Sequence, residues 1–110
     1  DTVVGGLGDD TVRGGFGDDE LFGNAGNDFL TGDAGVDLLT GGRGNDRIDG
    51  GRGVDTVIYS GDIADYTFLL LGNGDIRVTD NVGNDGVDRV STVEFCEFSD
   101  GIVAAADLPF

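Results

Sequence analysis

The sequence predicts an all-β chain: a parallel two-sheet solenoid of nonapeptide repeats followed by a β-rich C-terminal cap. Three observations predict it. A nine-residue block, G-x-x-G-x-D-x-U-x with U a large aliphatic, runs six times without a gap from Gly5 to Ile58. Its glycines and aspartates keep fixed phases. After Ile58 the register breaks, and β-rich runs with larger side chains follow. A short fixed period means one small unit stacked many times, each touching only its neighbours.

The positions of the repeat explain the first half in order. Position 1 is glycine in every copy (Gly5, Gly14, Gly23, Gly32, Gly41, Gly50), and so is position 4 (Gly8, Gly17, Gly26, Gly35, Gly44, Gly53). Glycine at a fixed phase marks backbone that a Cβ would obstruct, such as positive φ. Position 2 is glycine four times, and otherwise Asn24 or Asp33, the residue types that best tolerate the left-handed region. Positions 1 to 6 therefore form a tight turn whose carbonyls can point to one side. Position 8 is always aliphatic: Val12, Leu21, Leu30, Leu39, Ile48, Val57, with Val3 in the truncated first copy. Positions 7 to 9 make a three-residue strand whose middle side chain points inward. Two copies, not one, can close a circuit around a core. Turns then stack on alternate edges, with residues 5–10, 23–28 and 41–46 on one and 14–19, 32–37 and 50–55 on the other.

Position 6 is always aspartate: Asp10, Asp19, Asp28, Asp37, Asp46 and Asp55, preceded by Asp1. Successive turns on one edge lie about 4.8 Å apart. Carboxylates stacked that closely repel unless a cation lies between them. Ca²⁺ fits, because it accepts six to eight oxygens, backbone carbonyls included, in tolerant geometry. Mg²⁺ demands a strict octahedron. Zn²⁺ prefers His and Cys, which the repeats lack. Three turns per edge enclose two gaps, so two edges give about four ions, or more with partial sites at the ends. Four ions would bring the net charge from −16 to −8. Since no site exists before two turns stack, binding and folding are one event.

Composition excludes several classes. The 22 acidic residues face six arginines, with no lysine and no histidine. That argues against nucleic acid, whose phosphates need cationic partners, and against anionic membrane surfaces. No stretch is long enough to span a bilayer. The chain starts without Met and mid-repeat, and reads as a fragment of a longer protein. A lone Cys96 forms no internal disulfide. Without His, Lys or a nucleophile constellation, no catalytic residue is assigned. The Asp9-Asp10 and Asp18-Asp19 pairs follow from the repeat and are not an acid/base dyad. The position-5 residues Asp9, Asp18, Asn27 and Asn45 read as solvated turn side chains, since Val36 and Val54 share the position. Arg43 and Arg52, at position 3, read as solvated surface.

Residues 5–58 resemble the nonapeptide repeat of the RTX (repeats-in-toxin) family, the hemolysin-type calcium-binding repeat. The resemblance implies a parallel β-roll with Ca²⁺ between stacked turns. It implies ligation by the six position-6 aspartates and by turn carbonyls, those of the position-1 and position-4 glycines. Further candidate ligands are Asp1, Asp62, Asp65 and Asp88. The family implies a Gram-negative bacterial protein, secreted to the extracellular space by type I secretion machinery. Such segments are disordered in the low-calcium cytosol and fold outside. The module is expected to be monomeric. Because some RTX segments accompany alginate-modifying enzymes, a polysaccharide-binding or adhesive module is the alternative. That reading needs an aromatic or Arg-lined groove, and few arginines lie outside turns or strand ends.

The chain divides into residues 1–58, the calcium-binding repeats, and 59–110, a β-rich capping segment like those common after RTX rolls. Tyr66 to Leu71 predicts a strand, Gly72-Asn73-Gly74 a turn, and Ile76 to Thr79 a second strand. Gly83 to Ser91 matches the nonapeptide again, out of phase with the first six. Val93 to Phe98 predicts another strand, turning at Ser99-Asp100-Gly101 into Ile102-Val103. Tyr59, Tyr66, Phe68, Phe95 and Phe98 are the side chains available to cover the solenoid's end. Cys96, on one face with Phe98, reads as a buried apolar residue. The tail, Ala104 to Phe110, is a candidate export signal by position. Among the repeats, Asp10 and Asp55 should be terminal rungs, and Asp28 and Asp37 interior ones.

Overall fold

The computed structural model describes all 110 residues, as twelve short strands. They are β1 (Thr2–Val4), β2 (Thr11–Arg13), β3 (Glu20–Phe22), β4 (Phe29–Thr31), β5 (Leu38–Thr40), β6 (Arg47–Asp49), β7 (Thr56–Ile58), β8 (Tyr66–Leu70), β9 (Ile76–Asp80), β10 (Val87–Ser91), β11 (Phe95–Phe98) and β12 (Gly101–Ala104). One sheet has the order β1-β3-β5-β7-β11-β12 and the other β2-β4-β6-β10-β9-β8. Odd and even copies of the repeat thus fall into different sheets, and two copies make one circuit. Pairing is parallel, with Thr2 opposite Glu20, Glu20 opposite Leu38 and Thr11 opposite Phe29. This is a parallel β-solenoid.

The core is a double column of aliphatics. Val12, Leu21, Leu30, Leu39, Ile48 and Val57 are each at most 2% exposed. Each is the middle residue of a three-residue strand, so its two neighbours face solvent. Val90 continues one column above Ile48, and Cys96 continues the other above Val57. Burial pushes the Cys96 thiol up to about 11, which keeps it protonated and inert at neutral pH.

The seventh nonapeptide is out of phase along the chain but in register in space. Arg89 pairs with Arg47 and Val90 with Ile48. Bonded partners within the first six copies are 18 residues apart, whereas Asp46 and Asp88 are 42 apart. The difference, 42 − 18 = 24, is residues 59–82. They leave the stack as a single 3₁₀ turn (Ile63–Asp65) and the β8–β9 hairpin, which joins the sheet antiparallel beside β10. The other sheet ends the same way, with β12 antiparallel to β11. Antiparallel strands close the end because a hairpin needs no further circuit around the core.

Tyr59, Tyr66, Phe68 and Phe98 interlock inside this end, with ring centroids 5.1–6.4 Å apart. Phe95 does not join them. Strand parity points Cys96 and Phe98 inward and turns Phe95 outward, where it is 37% exposed. Leu108, after a 3₁₀ turn at Ala105–Asp107, tucks its side chain into the same core.

The two glycine positions have different causes. Position-4 glycines have positive φ, 113° at Gly26 and 87° at Gly8, whereas position-1 glycines do not. A β-carbon on Gly26 would fall on the carbonyl oxygen of Gly8 in the turn beneath, but one on Gly8 would meet nothing within 4 Å. Gly8→Ala should therefore cost only the left-handed strain of an alanine, about 1–2 kcal/mol. Gly26→Ala should cost distinctly more, because the turns can no longer stack. Thermal melts of both variants in calcium test this; equal losses in Tm would show that the stacking contact is not the constraint.

Candidate metal centre

Each turn delivers one aspartate to the inside of its edge. Its two carboxylate oxygens have different fates. The Asp10 N–H donates to Oδ1 of Asp28 at 2.8 Å, and the Asp28 N–H to Oδ1 of Asp46 at 2.9 Å. On the other edge the Asp19 N–H donates to Asp37, and the Asp37 N–H to Asp55, both at 2.9 Å. Every such bond joins one turn to the next on its edge. The Asp1 amino group fills the same donor place toward Oδ1 of Asp19, at 2.8 Å, while the Asp1 side chain is exposed.

The other oxygen has no partner. Oδ2 of Asp10, Asp19, Asp28, Asp37, Asp46 and Asp55 is buried without a hydrogen bond. A buried carboxylate oxygen without a donor or a cation is strongly unfavourable. It lies over the position-1 glycine of its own turn, where a β-carbon on Gly23 would sit 2.6 Å from Oδ2 of Asp28. This is the steric reason for glycine there. The same imagined carbon lies 2.7 Å from the carbonyl oxygen of Gly41, one turn up, and on Gly32 it lies 2.7 Å from that of Gly50. Carboxylate and carbonyl oxygens therefore converge beside a space that no side chain can fill. No three Asp, Glu, His or Cys groups gather at one point, so the donor set is one carboxylate per turn with peptide carbonyls. All-oxygen donors of that kind suit a hard cation such as Ca²⁺.

Two further residues extend the ladder. On the first edge the Asp46 N–H donates to Oδ1 of Asp88 at 2.8 Å. Oδ2 of Asp88 differs from the other six, because the buried Tyr59 hydroxyl donates to it at 3.1 Å. On the second edge the Asp55 N–H donates to Oε1 of Glu94 at 2.8 Å. Residues 92–94 replace the six-residue turn there, and the longer Glu side chain reaches where an Asp would not. Sequence reasoning took Glu94 for a strand residue. Its position three residues after the seventh copy was the available signal. Asp46 and Asp55 therefore have turns on both sides, so Asp55 is an interior rung and not a terminal one. Asp62 and Asp65 stand apart, where they cap the 3₁₀ turn, and the Ser99 hydroxyl bonds to Asp62.

A second ladder runs outside the first, at position 5. The Asn27 N–H donates to Asp9 Oδ1, that of Asn45 to Asn27, and that of Val87 to Asn45, at 2.8–2.9 Å. On the other edge the Val36 N–H donates to Asp18, and there the series stops because Val36 offers no acceptor. These side chains are turn-to-turn links and not merely solvated. The signal emerges only when alternate copies are compared: Asp9, Asn27 and Asn45 share an edge, Val36 and Val54 the other.

The geometry agrees with what comparison with known proteins finds. The pattern of the RTX calcium-binding nonapeptide repeat, in four copies, matches residues 1–30 and 22–57. No curated protein matches the chain. Ten solved chains share its architecture. One is the crystal structure of the extracellular lipase LipA from Serratia marcescens, with a TM-score of 0.67 and 18% identity over 84% of this chain. The chain spans 17% of that lipase's length.

Burial, first, and then the neighbouring carboxylates push Asp46 and Asp55 up to about 7 and Asp88 to about 8. Burial also raises Asp28 and Asp37. Between the ordinary value of 3.8 and these values, the folded chain holds protons that the unfolded chain has released. Metal-free stability is therefore fullest below about pH 4 and is lost as pH rises through 7 to 8. In chelator, acidification from pH 8 to pH 5 should therefore increase the β signal in circular dichroism, and a signal unchanged over that range would contradict the burial of these carboxylates.

Proposed function

Because the chain belongs to the family of RTX calcium-binding nonapeptide repeats, we propose that it is a calcium-folded module that supports type I secretion and stability of a larger extracellular protein. The observation that carries this reading is the row of six buried, unpartnered Oδ2 atoms. Asp10, Asp19, Asp28, Asp37, Asp46 and Asp55 would hold the ions, with carbonyls of the position-1 and position-4 glycines completing each site. Calcium supplies the positive charge that lets stacked carboxylates remain ionised. Without it, 22 acidic residues oppose six arginines, and one aliphatic per nine residues makes a thin core. Like-charge repulsion then favours an extended chain, suited to passage through a secretion channel from a calcium-poor compartment.

Four turns on the first edge leave three gaps, and the second edge has two full gaps and a partial one at Glu94. Affinity should be in the extracellular range, about 10⁻⁴ to 10⁻³ M, and binding should be cooperative because adjacent sites share a turn. We read residues 59–82 and 95–110 as the cap that ends the stack, around the last rungs supplied by residues 83–94. The hydroxyl of Tyr59 gives Asp88 the partner that the other rungs lack. The segment serves as a structural module, and catalysis would belong to other parts of the parent protein. No helix here is long and apolar enough to cross a membrane.

Circular dichroism with and without calcium tests coupled folding: the chelated chain should lack β signal, and calcium should restore it over a narrow range. A β-rich spectrum in excess chelator near neutral pH would contradict the proposal. Among variants, Asp37→Ala and Asp55→Ala should raise the calcium midpoint roughly tenfold or more, since even a partner of a ligand matters on that scale. Asp10→Ala, with a neighbouring turn on one side only, should raise it less. Equal shifts in all three would refute the order of the rungs.

A further inference from the structure

Position 1 is glycine in all six tandem copies, and the nine-residue phase puts Tyr59 at the next position 1. The fold keeps that phase. The N–H groups of Gly5, Gly14, Gly23 and Gly32 each donate to the residue one storey up that pairs with their predecessor, at 2.8–3.0 Å. The Tyr59 N–H does the same toward Glu97, the partner of Ile58, at 2.9 Å. The position-1 glycines do not have positive φ, and neither does Tyr59. Only space keeps a side chain out of that position.

The turn that Tyr59 opens ends at Asp88. Gly23 and Asp28 are five residues apart, and Tyr59 and Asp88 are 29 apart, which is five plus the 24 of the excursion. Gly83, the first residue of the seventh copy, does not take the place instead. The three nearest neighbours of a β-carbon there would all be Asp80 atoms. Tyr59 is therefore position 1 of the fourth turn on the first edge. In the three turns below, Oδ2 of the aspartate lies 2.4–3.1 Å from where a β-carbon of the glycine would be, and it has no donor. In the fourth, the Tyr59 ring packs against Tyr66 and Phe98, with centroids 5.1 and 5.8 Å away, and its hydroxyl donates to Oδ2 of Asp88 at 3.1 Å. Oδ1 of Asp88 accepts the Asp46 N–H. Both oxygens of this buried carboxylate are thus matched.

We infer that Tyr59 ends the cation row on the first edge, its hydroxyl serving Asp88 where a divalent cation would serve the six repeat aspartates. The inference rests on the calcium reading above. A buried carboxylate oxygen needs a donor or a cation. Glycine at position 1 supplies neither and leaves the oxygen to an ion, whereas tyrosine supplies the donor. A phenol suits the end of the stack, because its ring joins the aromatic cluster while its hydroxyl reaches the carboxylate. Tyr59 acts through Asp88 and is a positioning residue: it holds the top carboxylate in place with no ion of its own.

The first measurement is calcium bound per chain at saturation, by equilibrium dialysis and atomic emission, with circular dichroism monitoring the fold of every variant. The wild type should bind six ions, one for each unpartnered Oδ2. Asp88→Asn should bind as many as the wild type, since the amide oxygen still accepts from Asp46 and the amide N–H donates to the Tyr59 oxygen. Asp46→Asn should bind one fewer. Tyr59→Phe keeps the ring and removes the donor, so the Tm of the calcium-loaded chain should fall by several degrees. Adding Asp88→Asn to it should recover part of the loss, because a neutral amide replaces a stranded charge. Loss of an ion in Asp88→Asn, or an unchanged Tm in Tyr59→Phe, would overturn the inference and leave the calcium reading standing. A wild-type chain that binds no calcium would overturn both.

Discussion

One buried carboxylate oxygen per turn, facing other oxygens and no donor, is the constraint on which the rest of this molecule depends. Oδ1 of each aspartate rung from Asp19 to Asp88 accepts an N–H of the turn before it, whereas Oδ2 of the six repeat aspartates has no donor. The glycines follow from that arrangement. Position 1 has no side chain because Oδ2 and a neighbouring carbonyl crowd its α-carbon, and position 4 has none because it is left-handed and lies on the carbonyl beneath. The inward aliphatics, one per nine residues, complete the rung.

The two ladders run in opposite senses. At position 6 the earlier turn gives the N–H and the later turn the oxygen, whereas at position 5 the roles reverse. Each stacked pair on the first edge is therefore tied in both directions. The second edge has this double tie only between the turns of Asp18 and Val36. The first edge is the better connected, and it also receives the full seventh copy.

Much of the architecture was legible because the repeat repeats. Glycine phase, aspartate phase and aliphatic phase together gave the turns, the inward residue and the two-copy circuit, and Asn24 and Asp33 do adopt left-handed φ of 68° and 65°. What sequence reading missed depended on partners far away in the chain. Glu94 acts as a rung only because a shortened turn brings it over Asp55. The position-5 ladder was hidden because neighbours in sequence belong to opposite edges. Phe95 was grouped with the cap aromatics by size, but strand parity turns it outward. The cross-strand row of Arg47, Arg89 and Arg77 was invisible for the same reason: its strands become adjacent only once the hairpin folds back.

The excursion of residues 59–82 has a wider meaning. The stack recognises height and not chain order: it accepted Gly83–Ser91 as its next rung after 24 foreign residues, with the ladder bond to Asp88 unchanged in kind. A circuit can therefore be opened at a strand end and other material spliced in, provided the chain returns one storey up. Such a scaffold can acquire new surfaces by insertion without renegotiating its interior, and here the spliced hairpin contributes Arg77, an exposed cation that the nonapeptide register alone would never have placed beside Arg89.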